Sequence, residues 1–123
     1  MIGISTTAFI GESLDFALES IEYYVDFAEI FSEGRHDLFE NSSILSSYNL
    51  KYSVHSPTVD INIASVREKT RITSLDIISD LADLCASYNI TTMVVHPGYT
   101  SEDYMLPKAY SSLEKSLDFL NKL

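Results

Sequence analysis

Two histidines in this chain share one local setting. His55 closes the run Lys51-Tyr52-Ser53-Val54-His55 and precedes Ser56-Pro57. His96 closes Thr91-Thr92-Met93-Val94-Val95-His96 and precedes Pro97-Gly98. Proline cannot donate to a strand ladder and glycine permits a sharp exit, so each run must stop there. Each imidazole is therefore expected at the carboxyl end of a buried strand. Neutral imidazoles suit Zn²⁺, Mn²⁺, Fe²⁺ or Co²⁺, and an ion so held polarises a carbonyl, orients a sugar hydroxyl or activates water. The competing assignment is a hydrogen-bonded structural histidine. Glu29, near the end of the earlier run Val25–Phe31, is a carboxylate expected to support a ligand or to touch substrate. Asp60 reads as a turn residue, and His36, beside Arg35 ahead of a helix, as a surface residue.

Four strand–helix units are expected to position these groups. The first strand is residues 1–5. Ser13 then caps a helix marked by Leu14, Ala17, Leu18 and Ile21, up to about Tyr23. The second strand is residues 25–31. Asp37 with Glu40 has capping-box spacing and opens a helix through Leu38, Leu45 and Tyr48. The third strand is residues 51–55, followed by an irregular connection from Ser56 to Ala64. Ser65 and Glu68 again have capping-box spacing, before a long helix over 66–88 with its stripe at Leu75, Ile78, Ala82, Cys85 and Tyr88. The fourth strand is residues 91–95. Pro107 suits the first turn of a last helix striped by Ala109, Tyr110, Leu113, Leu117 and Leu120. Strands alternating with helices imply an α/β fold with a parallel sheet and right-handed crossovers. Ligands of such sheets bind at the carboxyl ends of the strands, where both histidines fall.

With 123 residues and 46% apolar content, the chain suits a single domain over 1–123 with a sizeable core. No apolar run is long enough to cross a bilayer, and Met1–Ser5 lacks the basic region of a signal peptide. Lone Cys85 permits no internal disulfide and is expected to pack in the core; these features fit a reducing, cytoplasmic setting. The net charge of −10 counts against a nucleic-acid partner, because phosphate backbones are repelled unless a metal or a basic patch intervenes. Arg67, Lys69 and Arg71 do cluster, and are expected to form a solvated helix start.

Val54-His55-Ser56-Pro57, then Ile61-Asn62-Ile63-Ala64-Ser65, Arg71 and Ser74, then Val94-Val95-His96-Pro97-Gly98, resemble the xylose isomerase-like TIM-barrel superfamily. The nearest branch holds endonuclease IV and the sugar phosphate isomerases and epimerases. The resemblance runs through the chain in order but matches only the N-terminal half of a family barrel. It implies four β-α units making half of a (β/α)8 barrel, which in full takes about 250 residues. It implies that His55 and His96 are metal ligands, for zinc or manganese, and that Glu29 matches an acidic residue at the end of the second strand. The family's later glutamates have no counterpart here, so catalytic acid–base residues are not assigned. The resulting expectation is a metal-dependent sugar or sugar-phosphate isomerase or epimerase, incomplete as a catalyst alone. Its partners would be a small sugar substrate and either a second copy or the missing C-terminal half. The alternatives are a metal-dependent endonuclease acting on abasic DNA and a non-catalytic half-barrel that self-associates, since unpaired strand edges favour association.

Overall fold

A computed structural model describes residues 1–123 as two compact units. The first comprises Met1–Pro57 and Leu81–Val95; the second comprises Thr58–Asp80 and His96–Leu123.

The first unit holds the sheet. Its strands are β1 (Ile4–Ser5), β2 (Phe27–Phe31), β3 (Lys51–His55) and β4 (Met93–Val94), all parallel and in the order β1-β2-β3-β4. An order that never reverses is how a barrel wall is wound, whereas a doubly wound sheet turns back at a switch point. Ser5 pairs with Glu29, Glu29 with Ser53, Phe31 with His55, and His55 with Val94. β2 shows why the sheet has two unlike faces. Ala28 and Ile30 are fully buried, while Phe27, Glu29 and Phe31 are half-buried on the other side. The buried face packs on α1 (Leu14–Glu22) through Leu14, Leu18 and Ile21, and the cluster extends to Leu38, Val54, Leu81, Cys85 and Ile90.

Local chemistry sets the element ends. Ser13 Oγ accepts the Phe16 N–H at 3.1 Å, and the Asp37 carboxylate accepts the Phe39 N–H at 3.1 Å, as their cap positions require. α2 is short, Leu38–Asn41, and passes into a 3₁₀ turn over Ser42–Ser47 rather than running to Tyr48. Four serines in six residues offer the backbone competing partners, which weakens an α-helix there. α3 (Glu68–Ser87) ends at Asn89, whose φ is +58°. The Asn89 N–H bonds the Ala86 carbonyl and the Ile90 N–H the Cys85 carbonyl, both at 3.0 Å, which closes the helix as a Schellman turn. The paired part of β1 is shorter than residues 1–5, and that of β4 shorter than 91–95, because each has only one neighbouring strand to hydrogen-bond.

His36 is a correction to the sequence reading. It is fully buried, with Nε2–H donating to the Glu12 carbonyl at 3.1 Å. Next to it, Arg35 Nη1 donates to the Gly11 carbonyl at 2.6 Å. The two side chains grip consecutive carbonyls of one loop, which draws the imidazole inward despite its charged neighbour.

In the second unit, Asn62, Ile63 and Ala64 are buried with Ser74, Leu75 and Ile78 of α3, and with Ala109 and Ser116 of α4 (Leu106–Leu120). The α4 stripe expected from sequence is only partly the buried one. Ala109 is covered, but Tyr110 is 66% and Leu117 53% exposed. The covered face combines buried Ala109 and Ser116 with half-buried Leu113 and Leu120, and Ser116 supplies its polar bonds: the hydroxyl donates to the Ile63 carbonyl at 2.7 Å, with the Ser112 carbonyl at 3.1 Å as its other acceptor. Arg71 departs from its expected solvation as well. Its side chain is 11% exposed, donates to Ser116 Oγ at 3.5 Å and faces the Glu68 carboxylate at 3.8 Å. Ser65 bonds the Arg67 N–H rather than that of Glu68, so it makes a turn ahead of α3 instead of a capping box. No helix is long and apolar enough to cross a membrane.

Candidate functional site

β3 delivers His55 to its last position, in register with Phe31 of β2. The two rings meet edge to face, with centroids 4.9 Å apart and planes at 83°. His55 Nδ1 lies 2.8 Å from the Ser56 carbonyl. A carbonyl only accepts, so the bond places the proton on Nδ1 and the ring's acceptor lone pair on Nε2. Beside it the Ser56 N–H pairs with the Val94 carbonyl at 2.9 Å, while Ser56 Oγ is buried without a hydrogen-bond partner.

Glu29 lies two residues before Phe31 and therefore on the same face of β2. Its strand neighbours are Ser5 and Ser53. These three line an open cleft of about 320 Å³ with Phe27, Gly3, Ile4 and Met1. The sheet thus gathers Glu29, Phe31 and His55 on the face turned away from the apolar core. Ser5 and Ser53 were not singled out by sequence, because serine in a strand carries no signal of its own until register shows it beside a carboxylate.

His96 is exposed and opens the second segment of the second unit. Its exit is fixed within that unit. Gly98 has φ +90°, and Asn62 bonds both backbone groups of Tyr99: Nδ2 donates to the carbonyl at 2.9 Å and Oδ1 accepts the N–H at 3.1 Å. The available signal for Asn62 was its place in an otherwise apolar Ile61-Asn62-Ile63-Ala64, since a buried amide needs partners.

The donor set bears on a metal. Imidazole nitrogens and a carboxylate are suitable ligand types, but a closed zinc site wants about four of them. No group of three or more His, Cys, Asp or Glu side chains in this chain is placed to hold a metal ion. The residues present therefore do not fit a complete site by themselves, and no chemical step is derived through one.

Comparison with known proteins agrees with this architecture. A family described as "Xylose isomerase-like TIM barrel" matches residues 18–123. An uncharacterised protein of Methanocaldococcus jannaschii is 36% identical over 126 residues, spanning 99% of this chain and 50% of its own length. A probable endonuclease 4 of Mycobacterium leprae is 32% identical over 83 residues, spanning 68% of this chain and 32% of its own. The crystal structure of a D-tagatose 3-epimerase-like protein superimposes with a TM-score of 0.78 at 27% identity, covering 94% of this chain and 45% of that one. The chain thus spans half or less of the length of these relatives.

Proposed function

The chain belongs to the xylose isomerase-like TIM barrel family, and from that premise we propose that it serves a barrel that isomerises or epimerises a sugar or sugar phosphate. Proton transfer beside a carbonyl or hydroxyl is the chemistry such a site would perform. The observation that supports this reading is the polar patch on the sheet: Glu29 between Ser5 and Ser53, lining an open cleft. A carboxylate flanked by hydroxyls accepts and exchanges hydrogen bonds with a polyhydroxylated ligand, and the epimerase-like structural neighbour points the same way. Glu29 is assigned to substrate hydroxyls. His55 and His96 are each assigned as one imidazole donor to a divalent zinc or manganese ion whose other ligands come from elsewhere.

Closing an eight-strand barrel needs strands beyond β1 and β4, supplied by a second copy or by a longer polypeptide. The test is solvent-deuterium exchange at sugar carbons. A panel of ketoses and their phosphates is incubated in D₂O with Zn²⁺ or Mn²⁺ and followed by NMR. Exchange in a longer polypeptide carrying this chain, abolished by Glu29→Gln, is the expected result; exchange unaffected by that change would refute the role of Glu29. Calorimetric titration of this chain with Zn²⁺ should show weak binding, and tight stoichiometric binding by a monomer would overturn the shared-ligand assignment.

The endonuclease resemblance favours a second reading, cleavage of abasic DNA. The charge of −10 weighs against it, because DNA affinity rests on neutralising phosphates. Salt-sensitive binding to an abasic duplex would put this reading first.

A further inference from the structure

We propose that Asn62 is a positioning residue for the segment bearing His96, an inference that rests on reading His96 as a site residue. Its side chain does what a neighbouring strand would do. One end of the carboxamide donates to the Tyr99 carbonyl at 2.9 Å, and the other accepts the Tyr99 N–H at 3.1 Å. The same Oδ1 also accepts the Ala64 N–H at 3.1 Å. The backbone behind it is anchored: the Asn62 N–H donates to Ser74 Oγ at 2.9 Å, and that hydroxyl donates to the Thr70 carbonyl at 2.8 Å. Asn62 is 9% exposed; its bonds to Ala64 and Ser74 are buried and those to Tyr99 half-buried, so losing its amide leaves polar groups poorly compensated.

Between His96 and the clamped Tyr99 stand only Pro97 and Gly98. Proline holds φ near −65° by its ring. Gly98, the one soft residue, sits at φ +90° with the space its missing β-carbon would take filled by Asn62: that atom would collide with Oδ1 and lie 2.7 Å from the Ala64 nitrogen. A clamp on Tyr99, a rigid Pro97 and a packed Gly98 leave the His96 backbone little freedom. The position demands a donor and an acceptor at fixed reach. Aspartate keeps the shape but sets a charged acceptor against the Tyr99 carbonyl, and leucine keeps the volume but offers neither group.

The experiment is NMR on the intact chain, comparing wild type with Asn62→Asp and Asn62→Leu. Both variants should shift the Tyr99 amide and shift or broaden the His96 ring resonances, while the Ala28 and Ile30 amides stay in place. In Asn62→Asp, acidification should return the Gly98 and Tyr99 amides toward wild-type positions at the same pH, because a protonated carboxyl again donates one bond and accepts another. A purely space-filling Asn62 would not give that rescue. A moved Tyr99 amide with unmoved His96 signals would overturn the proposal, as would a Tyr99 amide insensitive to Asn62→Asp. Should Asn62→Leu fail to fold, the acid rescue of Asn62→Asp decides alone. No step needs turnover, so lack of exchange activity with an intact Asn62 response would sink the functional reading and not the clamp.

Discussion

Ser116 gives its hydroxyl proton to the Ile63 carbonyl across 2.7 Å, and the serine is wholly buried. Arg71 approaches the same oxygen at 3.5 Å, so one hydroxyl serves an acceptor and a cation. Removing it takes the donor from the Ile63 carbonyl and leaves Arg71 facing the Glu68 carboxylate 3.8 Å away. Ser116→Ala is expected to destabilise the protein by about 1–3 kcal/mol, the usual effect of leaving a buried polar group unpaired. Urea unfolding checks this. An unchanged midpoint would mean that water replaces the hydroxyl and that the α4 face is not closed.

Gly98→Ala should be worse than a backbone penalty alone. The residue sits at φ +90°, and the added carbon would collide with the Asn62 amide and the Ala64 backbone. The two positions should therefore couple. Shortening Asn62 to alanine removes one of the colliding atoms, and a double-mutant cycle in urea should give an interaction energy of about 0.5–3 kcal/mol. Additive effects would show that the close packing of Gly98 on Asn62 is not what limits the position.

Stability should fall in alkali. Burial pushes the Tyr52 phenol from its ordinary 10.0 up to about 12, with the Glu22 carboxylate adding to the shift. Tyr48 moves the same way, first through burial and then through its bond to the Asp15 carboxylate. Above pH 10.0 the unfolded chain loses a Tyr52 proton that the folded chain keeps, so the unfolded state gains. The Tyr52 contribution is complete below pH 10.0 and is lost as pH rises through about 12. Melting temperatures across that range should decline less steeply in Tyr52→Phe, although this variant also forfeits the bond to the Leu45 carbonyl. Parallel curves for the two proteins would remove Tyr52 as a cause.

Cys85 is buried in the core, and burial pushes its thiol up. Reaction needs the thiolate, so a disulfide reagent should label the native protein slowly and the urea-unfolded protein fast. The onset of labelling should follow the unfolding transition. Rapid labelling without denaturant would mean that the helix carrying Cys85 opens locally.

Much of this fold is legible in the sequence because the signals are local. Ser13, Asp37 and Asn89 act on backbone groups within a few residues, and β3 stops at His55 ahead of Pro57, as its proline requires. The strand endings that single out His55 and His96, the four β-α units and the family resemblance all rest on such short patterns. His36 and Arg71 depart from their sequence expectation for the opposite reason. A charged or titratable side chain near a helix start reads as solvated, and only contacts 24 residues away, to Gly11 and Glu12, or 45 away, to Ser116, draw these two inward.

What the sequence by itself determined, then, is the rhythm of strands and helices and the strand-end position of His55, because periodicity, capping and proline geometry act over a few residues; β4 stops at Val94, two residues short of His96. The α1 stripe read from sequence is the buried one, whereas tertiary structure alone decided which face α4 turns inward. α4 shows it plainly: its large apolar residues Tyr110 and Leu117 stay exposed while Ser116 is buried, since the carbonyl of Ile63 needs a donor. The pairing of Asn62 with Tyr99, and of Glu29 with Ser5 and Ser53, arose the same way, from backbone groups that meet only when distant segments pack.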